Sequence, residues 1–239
     1  MNARVFSGWP LTPMVKRILI INAVVWLVEV IAVNWIGTAA PIKLLALTPQ
    51  AVYPGMFLWQ PFTYMWLHSP GDFLHILLNG LFLWMFGGVL EQTWGSKAFL
   101  RFYLWCGVGA GIIVFLTGLL FSPQIPVLGA SGAIYGLVVA WAISYPNRLI
   151  YFFGIFPIKG KYFVMIPIGF AVLDFLTRAQ GVSHAAHLGG MAIGALLVTG
   201  YWRPSKARKR LRYWWLRRKL KVVEDEERRN APPGGGYWH

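Results

Sequence analysis

The sequence predicts an all-α membrane protein with six transmembrane helices and both termini in the cytoplasm (N-in/C-in). Of its 239 residues, 57% are hydrophobic and 13% are charged, and the mean hydropathy is +0.54. A chain of this composition has more apolar surface than a soluble core can hold, and lipid covers the excess. Six apolar runs and a strong bias in the placement of Lys and Arg complete the prediction.

The apolar runs define the domain organisation. A helix needs about 20 apolar residues to cross the hydrocarbon core. Runs near that length occur at about 16–36, 72–90, 99–121, 131–145, 162–177 and 182–202. We therefore expect a short cytoplasmic segment at 1–15, a six-helix core at 16–202 and a cytoplasmic tail at 203–239, which is first basic, then acidic, then rich in Pro and Gly.

The Lys and Arg residues orient these spans. With the N-terminus inside, 20 basic residues fall on the cytoplasmic side and only 2, Lys43 and Arg178, on the outer side. Without the 12 basic residues of the tail the ratio is still 8 to 2, so the positive-inside rule favours N-in/C-in. Topology thus explains the net charge of +14 without nucleic-acid binding, and we expect the tail to contact anionic lipid headgroups.

Polar side chains within the predicted spans gather near the outer face. Ser131 begins the fourth span, His187 lies in the first two turns of the sixth, and His75 and Asn79 lie in the first two turns of the second. The i, i+4 spacing of His75 and Asn79 places them on one face of their helix. All three spans run inward, so the set occupies roughly the outermost 10 Å of the helices. Polar groups are costly in lipid, which makes this layer a candidate functional site.

The fourth span is short. About 15 residues separate Ser131 from Pro146, whereas about 20 are needed to cross the hydrocarbon. We therefore expect segment 122–130 to dip into the membrane, where irregular backbone is tolerated only beside protein or water. This arrangement would let water reach Ser131, as hydrolysis requires.

Four motifs fall on this layer and on its supporting turns. They are Gly129-Ala-Ser131-Gly132, Ala186-His187-Leu-Gly-Gly190 with Gly194 one turn later, His75-Ile-Leu-Leu-Asn79, and Glu91-Gln-Thr-Trp-Gly95-Ser96. Together they resemble the GxSG, AHxxG, HxxxN and ExxxGS motifs of the rhomboid intramembrane serine proteases. The resemblance covers about residues 15–202, although the Trp-Arg pair usual in that family's first loop is absent, since 37–60 contains no Arg.

This resemblance implies a six-helix rhomboid-like bundle and a serine endopeptidase that needs no metal or cofactor. Ser131 would attack the peptide carbonyl, and His187 would take the serine proton and later protonate the leaving amine. His75, Asn79 and the backbone N–H of Ser131 would form the oxyanion hole. Tyr135 would pack against the ring of His187.

The glycines of the motifs have an implied supporting role. Gly129 and Gly132 flank the serine, and Gly190 and Gly194 form a GxxxG pattern that lets helices approach closely. The implied substrates are single-span membrane proteins cut in or near their transmembrane segment, at a site that opens to the outer face. We expect a multi-pass protein of a bacterial or archaeal cell membrane.

Two other protease mechanisms involve the few acidic residues. Asp174 lies at a depth that allows a Ser-His-Asp triad. An aspartyl mechanism needs paired carboxylates in mid-membrane, whereas Asp72 and Asp174 both lie near the outer ends of their spans.

Three further alternatives are weaker. A zinc site would draw on His68, His75, His184 and His187, but HxxH lacks the glutamate of the HExxH pattern. A rhomboid-like protein without activity characteristically lacks the serine or the histidine, and both are present here. A transporter would show repeated half-helices, and none stands out.

Overall fold

The computed structural model describes residues 9–152, 156–176 and 183–200. The chain divides into two units, Met1–Val198 and Thr199–His239. The first unit holds nearly all of the described residues, and the predicted tail at 203–239 lies outside them. Arg178 also lies outside them, as does the side chain of Asp174.

Helices occupy most of the described chain and lie in all six predicted segments. In chain order they are α1 (Pro13–Val30, continued by a π-helical stretch Ile31–Trp35), α2 (Ala40–Leu45), α3 (Pro49–Val52), α4 (Gln60–Thr63), α5 (Phe73–Phe82, continued by a π-helical stretch Leu83–Gly87), α6 (Gly88–Trp94), α7 (Ser96–Phe121), α8 (Ser131–Ser144), α9 (Gly160–Phe163), α10 (Met165–Leu176) and α11 (Ser183–Thr199). The short helices α2 to α4 belong to the long first loop.

Three helical stretches among the described residues are long and apolar enough to cross a membrane. They are Pro13–Trp35, Phe73–Trp94 and Ser96–Phe121, with mean hydropathies of 2.1, 1.8 and 2.2. Ser131–Ser144 and His184–Thr199 are apolar but shorter. The structure therefore supports a mostly helical membrane protein, and the count of six spans and their orientation stay predictions.

A small β-hairpin joins α8 to α9, which the all-α prediction omitted. Strands β1 (Leu149–Phe152) and β2 (Phe156–Lys159) pair antiparallel, with Leu149 opposite Lys159 and Ile150 opposite Ile158. Ile150 is 1% exposed and packs on the core, while Leu149 and Tyr151 point away from it. Side chains of adjacent strand residues face opposite sides, so the alternation follows from the pleat.

Helix α8 forms the centre of the bundle. Every residue from Gly132 to Ala142 except Tyr135 is buried, and Trp141 is fully buried against Phe86. A helix that is apolar on all sides can be covered by lipid or by protein, and the burial of these side chains shows that protein covers α8. Ser131, the first residue of α8, therefore lies at the end of the most enclosed helix.

Glu91 connects the start of α1 to the turn between α6 and α7. Its carboxylate accepts hydrogen bonds from the hydroxyls of Thr12 and Ser96, and from the backbone N–H groups of Met14 and Val15, each at 2.9 Å. A carboxylate at a helix N-terminus satisfies N–H groups that have no intrahelical acceptor and interacts favourably with the helix dipole. This single buried side chain thus holds three helices together.

Candidate active site

The serine and histidine of the two motifs are in direct contact. Nε2 of His187 lies 2.9 Å from Oγ of Ser131, a hydrogen bond between residues 56 positions apart in the chain. When Nδ1 carries the imidazole proton, Nε2 can accept the serine proton. The two helix termini thus provide the geometry that a nucleophile and its base require.

The ring of His187 is also supported from one face. It stacks on Tyr135 with ring centroids 4.2 Å apart and an interplanar angle of 5°. Tyr135 lies one turn after Ser131 in α8. One helix therefore supplies both the hydroxyl and the aromatic surface that orient this imidazole.

Glycines allow α11 to approach α8 closely enough for this contact. A Cβ atom on Gly190 would overlap the carbonyl oxygen of Gly132, and one on Gly194 would lie 2.6 Å from the carbonyl oxygen of Gly136. Real Cβ atoms do not approach backbone atoms so closely. The GxxxG pattern of α11 therefore packs against a second glycine pair one turn apart in α8.

A cavity of about 510 Å³ opens beside Ser131. His75, Asn79, Tyr135 and His187 line it together with Ser131. Asn79 is 6% exposed, and its Nδ2 donates to no other described residue. Because Ser131 is the first residue of α8, its N–H also lacks an intrahelical acceptor. Several donors therefore converge on one space.

Gly129 brings the chain close to His75. Its φ is +128°, a left-handed value that favours glycine, and a Cβ atom there would lie 2.9 Å from the His75 ring. The N–H of Gly129 donates to the carbonyl of Tyr64 at 3.0 Å. Both conformation and space thus require glycine two residues before Ser131.

The segment before Ser131 is held by the first loop. Leu47 and Val127 exchange two backbone hydrogen bonds of 2.9 Å, and the N–H of Gln50 donates to the carbonyl of Pro123 at 2.8 Å. The first loop therefore supports this irregular backbone at Pro123 and at Val127, while residues 123–126 keep exposed side chains.

Gln60 organises the first loop from within. It is fully buried, accepts from the N–H of Thr48 at 3.0 Å and donates through Nε2 to the carbonyl of Lys43 at 3.2 Å. A neutral amide here, in a loop without Arg, satisfies backbone groups that α2 and α3 leave open.

Buried polar groups lie behind His75. His68 is fully buried, and its ring centroid is 5.3 Å from that of His75. The backbone N–H of His68 donates to the carboxylate of Glu29 in α1 at 3.0 Å. Burial, and secondarily the neighbouring His75, lowers the pKa of His68 to about 4. A neutral imidazole therefore packs against the cavity-lining His75.

The other residues considered from the sequence are not part of the Ser131–His187 contact. His184 is half-buried one turn before His187 and is not among the described residues that line the cavity. In the part of the chain that the structure describes, no three His, Cys, Asp or Glu side chains converge as a metal site would need. The triad alternative depends on the side chain of Asp174, which lies outside the described set.

Two polar residues of the cavity lining were not among the predicted site residues. Tyr64 donates from its hydroxyl to the carbonyl of Gly107 at 2.7 Å, and no local pattern in the loop pointed to it. Asp72 caps α5 and also lines the cavity. An Asp directly before an apolar helical run is a recognisable cap signal, so its position, though not its exposure to the cavity, was readable.

Fold and cavity together define an integral membrane protein of helical bundle type with a paired serine and histidine. Comparison with known proteins identifies the family: a rhomboid domain model matches residues 56–204. The chain belongs to the rhomboid family.

Curated relatives agree with this assignment. Mitochondrial Rhomboid protein 1 of Saccharomyces cerevisiae is 30% identical over 153 residues, which are 60% of this chain and 42% of that protein. Rhomboid protease GluP of Bacillus subtilis is 32% identical over 137 residues, 57% of this chain and 24% of that protein. Putative rhomboid protease YdcA of Bacillus subtilis is 30% identical over 193 residues, 78% of this chain and 87% of that protein. The chain thus spans less than half the length of the first two.

Proposed function

We propose that this protein is an intramembrane serine endopeptidase in which Ser131 and His187 form a catalytic dyad. The observation that carries the proposal is the 2.9 Å contact between Nε2 of His187 and Oγ of Ser131, at the edge of a cavity large enough for a peptide segment. Relatives named as rhomboid proteases are consistent with it.

The reaction begins as Oγ of Ser131 attacks the peptide carbonyl carbon while its proton passes to Nε2 of His187. The carbonyl oxygen becomes an oxyanion, which accepts hydrogen bonds from His75, from Nδ2 of Asn79 and from the N–H of Ser131. The C–N bond then breaks as His187 protonates the leaving amine. Water next attacks the acyl-enzyme, with His187 as base, and releases Ser131.

The substrates in this proposal are single-span membrane proteins cut in or near their transmembrane segment. The positive-inside orientation makes the cavity open to the outer face of a bacterial or archaeal cell membrane. In the same orientation the basic tail, with Trp214 and Trp215, lies at the inner surface and binds anionic headgroups. No metal or cofactor takes part.

The decisive test is reaction of the detergent-solubilised protein with a fluorophosphonate, which modifies activated serines. Wild-type protein should be labelled, and Ser131→Ala should not. His187→Ala should lose labelling too, because the serine has lost its base. Ser144→Ala, which removes an exposed hydroxyl at the other end of α8, is the matched control and should label normally.

Cleavage of a single-span test substrate should follow the same pattern. EDTA should leave the rate unchanged. Labelling that persists in Ser131→Ala, or turnover that EDTA abolishes and zinc restores, would exclude the dyad.

A further inference from the structure

One carboxylate lies at the cavity that contains the proposed dyad. Asp72 is exposed at the start of α5 and lines the cavity with Ser131 and His187. The other described residues of the lining are apolar, or polar without a fixed charge. A substrate strand bound at Ser131 therefore passes close to a single negative charge.

The position of Asp72 is set by a role that does not need this charge. Its Oδ1 accepts a hydrogen bond from the N–H of His75 at 3.1 Å and so caps α5. Asn and Ser cap helices about as well as Asp. The helix dipole favours the anion modestly, so capping leaves the charge itself largely unexplained.

Within the described part of the chain, no basic side chain neutralises the charge of Asp72. Within residues 9–152, 156–176 and 183–200, no Lys or Arg side chain forms an ion pair with Asp72. In the predicted orientation only Lys43 and Arg178 lie on its side of the membrane. Low-dielectric walls around a cavity strengthen the field of such an unpaired charge.

We propose that Asp72 makes the protease charge-selective: it favours substrates with Lys or Arg within a few residues of the scissile bond and disfavours those with Asp or Glu there. This inference rests on the proposed function of the same site. Attraction of Lys or Arg and repulsion of Asp or Glu both increase the difference in cleavage between the two kinds of substrate. Basic residues are scarce at the outer ends of transmembrane segments, so the preference narrows the range of substrates.

The test uses one single-span substrate with Lys, Gln or Glu placed singly at each position near its mapped cut. For wild-type protein, kcat/KM should be about threefold to tenfold higher with Lys than with Glu at one or more positions, as for a partly exposed ion pair. The ratio should shrink as salt is raised. The Gln substrate corrects for any uniform change in rate.

Three variants separate the charge from the cap. Asp72→Asn and Asp72→Ser keep a capping oxygen and should bring the ratio close to one. Asp72→Glu keeps the charge in a poorer cap and should retain the preference. An unchanged ratio in the Asn and Ser variants, or no preference at any position in wild type, would overturn the inference.

Binding measurements keep this result separate from the fate of the proposed function. Ser131→Ala protein is titrated with fluorescein-labelled peptides that contain the Lys or the Glu form of the substrate segment. Tighter binding of the Lys peptide that Asp72→Asn removes supports the inference even if no peptide is ever cut. Equal affinities contradict it, whereas a wild-type protein that cuts no substrate contradicts the proposed function instead.

Discussion

The imidazole of His187 lies face to face with the ring of Tyr135, with centroids 4.2 Å apart and planes 5° from parallel. Tyr135 lies one turn after Ser131 in α8, and the hydroxyl of Ser131 lies 2.9 Å from Nε2 of the same imidazole. A ring held by one face and one edge has little freedom to rotate. The geometry of the proposed dyad therefore depends on a residue that takes no part in proton transfer.

Substitutions of Tyr135 should distinguish the contribution of its aromatic ring to catalysis from that of its hydroxyl. We expect Tyr135→Phe to keep kcat within about threefold, because the stacking surface remains, and Tyr135→Ala to lower kcat by about tenfold to a hundredfold, because small displacements of a base are costly. Both values come from steady-state cleavage of a test substrate. If Phe were as damaging as Ala, the hydroxyl rather than the stack would be the important group.

The proposed oxyanion donors give a second prediction. His75→Ala and Asn79→Ala should each lower kcat by about 10²–10³, the usual cost of losing one such donor. Leu78→Ala is the matched control, since Leu78 lines the same cavity from the same helix with an apolar side chain. Unchanged kinetics in both donor variants would reduce His75 and Asn79 to packing residues.

The close contact of α8 and α11 can be tested at a glycine. Gly190→Ala should destabilise the protein by about 1–3 kcal/mol, as overpacking does, because the new methyl group meets the backbone of Gly132. Cleavage should fall as well, since the same displacement moves His187 away from Ser131. In Gly169→Ala of α10 the methyl group meets no atom within 4 Å, so this control should be neutral or slightly stabilising. Thermal unfolding in detergent measures the stability of both variants, and cleavage of a test substrate measures their activity.

How far the sequence predicts this molecule depends on whether a signal is local. The start of α8 at Ser131 was predictable because a segment with two prolines and a glycine ends there and an apolar run begins. The predicted spacing of His75 and Asn79 places both at one cavity, because a 3.6-residue period is a property of the helix alone.

The parts that could not be predicted depend on distant partners. Gln60 bonds to Lys43 and Thr48, and nothing near Gln60 identifies these partners. Strands β1 and β2 are four residues each, too short for a periodic signal, and they pair only because the chain turns back between them. Both features lie where tertiary contacts, rather than propensity, decide the backbone.

The buried His68 predicts a pH dependence of stability. In the unfolded chain its imidazole takes up a proton below about pH 6.5, whereas in the folded protein its pKa is lowered to about 4. The contribution of neutral His68 to the free energy of unfolding is therefore fully present above about pH 6.5. It is lost as the pH falls towards 4, at about 1.4 kcal/mol per pH unit. Unfolding free energies between about pH 7 and pH 5 measure this slope.

In the His68→Asn variant this slope should be smaller by the contribution of one proton, about 1.4 kcal/mol per pH unit. This holds even if the variant is less stable than the wild type at every pH. The difference between the two slopes matters, because every other titratable group contributes to both proteins and cancels in the comparison. Equal slopes would mean that His68 is protonated as readily in the folded protein as in the unfolded chain.

The last prediction concerns the side of the membrane on which the cavity opens. Gln124 is exposed in the segment before Ser131, and Lys159 is exposed at the end of β2. After the buried Cys106 is replaced by Ala, Gln124→Cys should react with an impermeant maleimide added to intact cells, while Lys159→Cys should react only after permeabilisation. The substrate should then be cut within roughly 10 Å of the outer face, with release of its outer domain. The opposite labelling would reverse the orientation that 20 against 2 basic residues predict, and would place the chemistry of Ser131 at the cytoplasmic face even if the dyad itself were established.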